Sequence, residues 1–253
     1  DKYQAGQMMG DIYGYETIGI AKSKDEMDQH LASLPNGGQN ALGTNWDAGD
    51  IMYKDLNGDG KIDNGGNKYD DMGDMKKIGN NTPRYLFGLD LNADYKGFDF
   101  RAFFQGVMKR DYWQGSAYFW GATSLWHSTG FVEHADYFRA EASNDLPANL
   151  NAYYPRPVFD SSKNRQKQTA YLQSAAYIRL KNVQLGYTLP ANLTHKFYVS
   201  KLRVFVSGEN LWTGTSLANM FDPETIGGGD DTDKNGNAYP LSKTISFGIS
   251  VTL

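Results

Sequence analysis

The stretch RYLFGLDLNADYKGFDFRAFFQGVMK, from Arg84 to Lys109, decides how the chain is read. A two-residue turn at Lys96-Gly97 sets Tyr95 opposite Phe98, Ala93 opposite Phe100, Leu91 opposite Ala102 and Leu89 opposite Phe104; Phe87 and Tyr85 then meet Gly106 and Met108. Successive side chains of a strand point to opposite faces, so this one register gathers the apolar residues on one face. The other face takes Asp90, Asn92, Asp99, Arg101 and Gln105, along with Arg84, Asp94 and Lys109. Leu86, Phe103 and Val107 break the alternation. A strand of about eleven residues, each rising ~3.3 Å and tilted by about 45°, climbs about 25 Å, the height of the apolar band on a membrane barrel. Tyr85 at one end, and Tyr95 and Phe98 at the other, sit where interfacial aromatic girdles lie. The pattern leaves two architectures open, the wall of a transmembrane barrel or one sheet of a soluble sandwich.

Composition narrows the function classes. The chain of 253 residues is 40% hydrophobic and has no run of apolar residues long enough for a helical membrane span. Barrel strands alternate and average out as polar, so a barrel stays open. Gly 28, Tyr 17 and Phe 13 suit a β-protein with many turns. With Cys 0, disulfides and thiolate metal sites are excluded. A net charge of -4 without a basic stripe argues against nucleic acid as a partner. The residues form no nucleophile–base constellation and no phosphate-binding glycine loop. Asp70-Asp71 and Asp230-Asp231 lie in Gly/Asn-rich turns with no apolar wall to raise a pKa, so the chain is read as a non-enzyme without an organic cofactor.

Outward from the hairpin, Gly10 to Ile20 reads as a strand, and Ser23 to Leu34 as a helix with Ser23 as its cap and Glu26 at the capping-box position. Asp55, Asn57, Asp59 and Gly60 match the first half of a calcium loop, with Lys61 offering a carbonyl at position seven and Asp63 at position nine. Position twelve is Gly66 rather than a bidentate Glu, so Asp70, Asp71 or Asp74 closes the site only by folding back. A second half-motif, Asp231, Asp233, Asn235 and Gly236, has Ser242 at that position. The alternative for both is a tight solvated turn without an ion. Arg110 to Thr169 is a long aromatic loop whose Trp113, Trp120 and Trp126 offer stacking surface for a ligand or partner, or else form the loop's own core. His127, Glu133 and His134 fit no standard metal spacing. Tyr177–Leu189, Leu202–Trp212 and Thr244–Leu253 read as further strands, with Phe205 out of pattern. Short connections at Lys96-Gly97 and 190–200 alternate with long ones at 21–83, 110–169 and 213–241, as periplasmic turns alternate with extracellular loops. This alternation favours the barrel.

The sequence also resembles the C-terminal part of SusC/RagA-type TonB-dependent outer-membrane transporters. The resemblance rests on Gly14-Tyr15-Glu16-Thr17-Ile18-Gly19-Ile20, Gly49-Asp50-Ile51, the run Asp55 to Asp63, Ile78 to Tyr85, Gly97-Phe98-Asp99, Phe103-Phe104-Gln105-Gly106, Ile178 to Tyr187, Val206 to Leu211 and Tyr239-Pro240. It implies that residues 1–253 form about six C-terminal strands of an all-β, antiparallel barrel of roughly 22 strands in the outer membrane. The plug and the other strands lie outside the chain on this reading. The resemblance further implies import of oligosaccharides or peptides, energy from TonB acting through the plug, and a SusD-like surface lipoprotein as lid. Lipid and the rest of the barrel are then the chain's nearest partners. Asp90, Asn92, Asp99, Arg101 and Gln105 are expected on the lumen face, and Trp113, Trp120 and Trp126 as substrate or lid contacts. The competing reading is a soluble calcium-dependent carbohydrate-binding or adhesin β-sandwich. The direction in which Tyr85, Phe87, Leu89, Leu91, Phe100 and Phe104 point separates the two.

Overall fold

The computed structural model describes residues 6–121, 123–124, 130–143, 145–227 and 238–253. In chain order these give β1 (Asp11–Tyr15), β2 (Thr17–Ile20), α1 (Lys24–Ala32), β3 (Ile51–Tyr53) and β4 (Met75–Asn80). The hairpin β5 (Arg84–Tyr95) and β6 (Phe98–Lys109) follows, then β7 (Asp111–Trp113), α2 (Ala117–Trp120) and β8 (Leu172–Ser174). The last elements are β9 (Tyr177–Thr188), α3 (Ala191–Thr194), β10 (Lys201–Thr215) and β11 (Thr244–Thr252). They divide into a loop unit of residues 1–82, 111–173 and 227–237 and a sheet unit of residues 83–110, 174–226 and 238–253.

The sheet unit is one antiparallel sheet in the order β11-β10-β9-β6-β5. Its hairpin has the register that the alternation requires, from Tyr95 opposite Phe98 to Phe87 opposite Gly106. Lys96 and Gly97 both take positive φ, 47° and 88°, the condition for a tight hairpin turn. The apolar face continues in rows across all five strands. One row runs Ala93, Phe100, Leu185, Val206, Phe247; the next runs Tyr95, Phe98, Tyr187, Val204, Ile249. Within this unit no second sheet covers that face among the described residues. Phe100 is 40% exposed, Leu91 45% and Phe247 84%. In the discriminating set, Tyr85, Leu89, Leu91 and Phe100 are exposed, and Phe87 and Phe104 are half-buried against their neighbours. A soluble sandwich buries such a face, so the exposed rows favour the barrel over the sandwich. No helix among the described residues is long and apolar enough to cross a membrane.

Glycines explain the aromatic residues that break the alternation. Phe103 and Phe205 stand on the polar face, and each covers a glycine of the adjacent strand, Gly88 and Gly248 respectively. A bare glycine in a strand leaves backbone open, and a cross-strand ring closes it. Phe87 does the same over Gly106 on the apolar face. The register slips once at the same level on two strands, with Lys181 extra on β9 and Asn210-Leu211 on β10, where Asn210 takes a φ of 53°. Such bulges re-aim the side chains beyond them. Here they turn Arg179 onto the polar face beside Gln105 and Thr213.

The loop unit is knitted from three two-stranded pairs, β1-β4, β2-β3 and β7-β8. The Gly10–Ile20 stretch, expected as one strand of the barrel wall, is cut at Glu16 into β1 and β2, and both belong to this unit. Among the described residues the barrel sheet therefore has five strands, where about six are expected. Helix α1 starts as expected: the Ser23 hydroxyl accepts from the Glu26 N–H at 3.1 Å, while the Glu26 carboxylate accepts from the Lys22 N–H. Its Met27 is fully buried. The long segments are far from structureless, because Gln39 acts as a strand surrogate. Its side chain accepts from the Tyr53 N–H at 2.6 Å and donates to the Ile51 carbonyl at 3.1 Å, satisfying the free edge of β3.

Candidate functional site

Three groups of side chains carry the chemistry. In the loop unit, the turn after β3 wraps its own carboxylates. Asp55 accepts from the Gly58 and Gly60 N–H groups at 2.6 and 2.9 Å, and Asn57 from the Asp59 N–H at 2.9 Å. Gly60 needs its positive φ of 79°, and a Cβ there would press on Pro35 at 3.1 Å. Asp74 folds back from eleven residues beyond Asp63 and closes the turn. Its carboxylate accepts from the N–H groups of Leu56 and Asp63 at 2.7 and 2.9 Å, and it is fully buried. One oxygen from each of Asp55, Asp59 and Asp74 lies within 4.8 Å of the other two. Calcium bonds oxygen at 2.3–2.6 Å, so ligands across one ion stand at most about 5 Å apart, and the group fits. All three donors are hard oxygens, which suit calcium or magnesium and not a soft metal. Lys61 and Asp63 lie beside the cluster as an ion pair. Burial, and then the charge of Asp55, hold the Asp74 carboxyl above its ordinary value against its three backbone donors.

The second group is the aromatic core of the long loop. Trp113 is buried and stands 5.8 Å from Trp120, which packs edge-on to Tyr171 at 4.8 Å. Phe119, Tyr153 and Tyr154 complete the cluster. Trp120 and Tyr154 also line a cavity of about 380 Å³. His134 is engaged on both ring nitrogens, accepting from the Phe131 N–H at 2.9 Å and bonding the Phe119 carbonyl at 3.0 Å. Trp126, His127 and the second half-motif, Asp231, Asp233 and Asn235, lie outside the described residues.

The third group is the polar face of the sheet unit. Arg101 clamps Asp90 through two nitrogens at 3.1 and 2.6 Å, and Asn92 donates to the same carboxylate at 3.3 Å. Arg203 makes the same two-point contact with Asp99 across the intervening strand, one arm at 2.8 Å, and also bonds Gln184. The bridge passes over Gly186, where a Cβ would collide with both partners. Further along, Arg179 bonds Thr213 at 2.8 Å and Asp222 at 2.7 Å, next to Gln105. Alternation alone did not reveal these cross-strand pairs or the closing role of Asp74. The only signals available were an Arg and an Asp on one face and a carboxylate downstream of an incomplete loop.

No family model matches the chain. Among curated proteins it is 28% identical to TonB-dependent receptor P3 of Formosa agariphila over 97% of this chain and 22% of the relative. It is 26% identical to TonB-dependent receptor P26 of the same organism over 98% of this chain and 23% of the relative. The chain thus spans about a quarter or less of the length of the curated relatives it matches. Among solved structures, the RagAB peptide transporter matches with a TM-score of 0.59 and 22% identity, over 95% of this chain and 22% of that one. The RagAB peptide importer in its open-open state matches with a TM-score of 0.57 and 21% identity, over 96% and 22%. The bare apolar face, the polar face opposite it and these likenesses agree: the chain is a segment of an outer-membrane β-barrel, similar in sequence to about a fifth of the TonB-dependent receptors and in fold to about a fifth of the RagAB peptide transporter.

Proposed function

We propose that the protein imports oligosaccharides or peptides across the outer membrane with energy from TonB, under a SusD-like lipoprotein lid. The observation that carries this reading is the five-stranded sheet with one apolar face bare and the other laced with ion pairs. Lipid covers the first, and the second lines a watery lumen. Asp90, Asn92, Asp99, Arg101 and Gln105 then form the lumen wall or meet the plug. Trp120 faces incoming cargo from the loop unit, with Trp113 propping it from behind. The outer edges of β5 and β11 have no strand partner among the described residues, and an open edge in lipid costs several kcal/mol per unsatisfied group. Further strands of the same barrel pair with them. Among the names of its relatives, receptor and importer favour transport over catalysis. Uptake of labelled oligosaccharide and peptide mixtures by cells with and without the gene, and with TonB depleted, tests the proposal. A protein that purifies as a water-soluble monomer without detergent would sink it.

The Asp55–Asp59–Asp74 turn is proposed to hold a calcium ion that stiffens the loop unit. Replacing Asp74 by Asn is expected to lower calcium affinity at least about tenfold in titration calorimetry, since it removes a charged ligand. Asp25→Asn on exposed α1 should change nothing. Acidity separates the ion-bound from the ion-free state. The Asp74 carboxyl is raised in the fold, so without an ion its contribution is present at low pH and is lost as pH rises through the folded value. With calcium the dependence inverts, because the ion needs the deprotonated form. Thermal melts of the loop unit that shift the same way with pH in calcium and in chelator would dismiss the site.

A further inference from the structure

The cavity in the loop unit shares Trp120 with the import reading, but the rest of its wall is used neither there nor in the cation turn. Its volume of about 380 Å³ lies in the range of small-molecule sites. Trp120, Phe131 and Tyr154 supply ring faces, and Pro155 and Pro157 supply apolar surface without N–H donors. Two arginines, Arg156 and Arg165, belong to this wall. Arg156 is already committed: two of its nitrogens bond the buried Asp50 at 2.8 and 2.7 Å. Arg165 is not. Its Nε and Nη2 donate to a single carbonyl, that of Ser161, at 3.2 and 2.9 Å, and no ion pair engages it among the described residues. Asp160 acts on it only at longer range, and burial pushes the guanidinium below its ordinary value. A half-buried arginine with no carboxylate in direct contact among the described residues, on the lining of a ring-walled cavity, is an anion site in waiting. His134 competes for no anion here, because both its ring nitrogens are taken by backbone.

We propose that this cavity binds a monocarboxylate carried on a ring-sized apolar body, with the carboxylate on Arg165 and the body between Trp120, Tyr154 and the two prolines. The apolar body follows from the wall. A hydroxylated ring would strip its hydroxyls of water against proline and aromatic carbon, at a cost that an apolar ring avoids. The proposal concerns binding alone and does not depend on import.

The test is calorimetry on the protein purified from outer membranes in detergent, with N-acetyl-phenylalanine, its uncharged amide and glucuronate as probes. The acid is expected to bind at least about tenfold more tightly than the amide, the scale of one charge-assisted pair. Glucuronate, the same charge on a hydroxylated ring, should bind more weakly than the aromatic acid. In Arg165→Gln the acid should fall to the affinity of the amide, while the amide still binds and so reports an intact cavity. Arg165→Lys should keep a preference for the acid, and it decides the matter if the Gln variant binds neither probe. Equal affinity for acid and amide in the unsubstituted protein overturns the proposal. So does a preference that survives Arg165→Gln or is lost in Arg165→Lys, and glucuronate as the tighter ligand overturns the apolar body.

Discussion

Replacing Asp50 by Ala is expected to destabilise the loop unit by about 3–5 kcal/mol, the usual consequence of leaving a buried charge without its partner. Asp50 has no exposed surface, and it holds four side-chain donors: Arg156 twice, Lys163 at 2.8 Å and Asn164 at 2.8 Å. Lys163 is itself only 2% exposed, donates to the Thr44 and Asn45 carbonyls at 3.1 and 2.9 Å, and lies over the Trp46 ring at 4.8 Å. The substitution leaves that ammonium buried with carbonyls alone. Asn164 has a second task, accepting from the Ile51 N–H at 3.0 Å, so the hub ties residues 43–53 to residues 156–168. Burial alone would push the Asp50 carboxyl up; the bonds from Arg156, Lys163 and Asn164 outweigh it and hold the group below its ordinary range. The depressed value means that the contribution is full at neutral pH and fades only as pH falls below the ordinary carboxylate range toward the folded value. Hydrogen exchange reads the effect directly. Amides of residues 43–53 and 156–168 should lose protection together in Asp50→Ala, while those of β6 and β9 keep theirs. Unchanged protection in the first two segments would remove the hub from the account of this unit's stability.

That hub also marks the limit of what the sequence discloses. Gly49-Asp50-Ile51 is part of the resemblance, yet nothing local says that its carboxylate meets a lysine more than a hundred residues away. Contacts at that separation leave no periodicity. The hairpin is the opposite case. Its partners are adjacent in sequence and its turn is two residues long, so alternation fixes every pair from Tyr95–Phe98 to Phe87–Gly106. Between these extremes stand Phe103 and Phe205, which look like errors of pattern in one dimension. They become legible only when the neighbouring strand puts Gly88 and Gly248 under them. The bulges at Lys181 and Asn210 hide in the same way, since a phase slip on one strand has meaning only against its partner. Asp74 was within reach of the sequence: an incomplete calcium loop followed by three aspartates calls for one of them to return, though not which one.

An arginine placed at Val183 should cost the barrel about 2–4 kcal/mol, and one placed at the next residue, Gln184, no more than about 1 kcal/mol, for the bond from Arg203 that it loses. The two positions share a strand, a level and the same backbone propensities. They differ only in face. Val183 stands in the row Leu91, Ala102, Val183, Gly208 and Ile245, midway along the apolar face, whereas Gln184 stands with Asn92, Arg101, Ser207 and Ser246. A buried core in a soluble sandwich would penalise Val183→Arg too, so depth is the sharper measurement. Tyr187 lies two rows toward the hairpin turn, beside Tyr95 and Phe98, where the interfacial girdle belongs. Arginine there reaches the headgroups and should cost only about 0–1 kcal/mol if lipid is the solvent. Denaturant titrations of the three variants in bilayers should therefore rank Val183→Arg far above Tyr187→Arg, with Gln184→Arg lowest or level with the latter. A sandwich core has no headgroup level to escape to and would penalise positions 183 and 187 alike. Equal costs at those two positions would therefore remove lipid as the partner of this face.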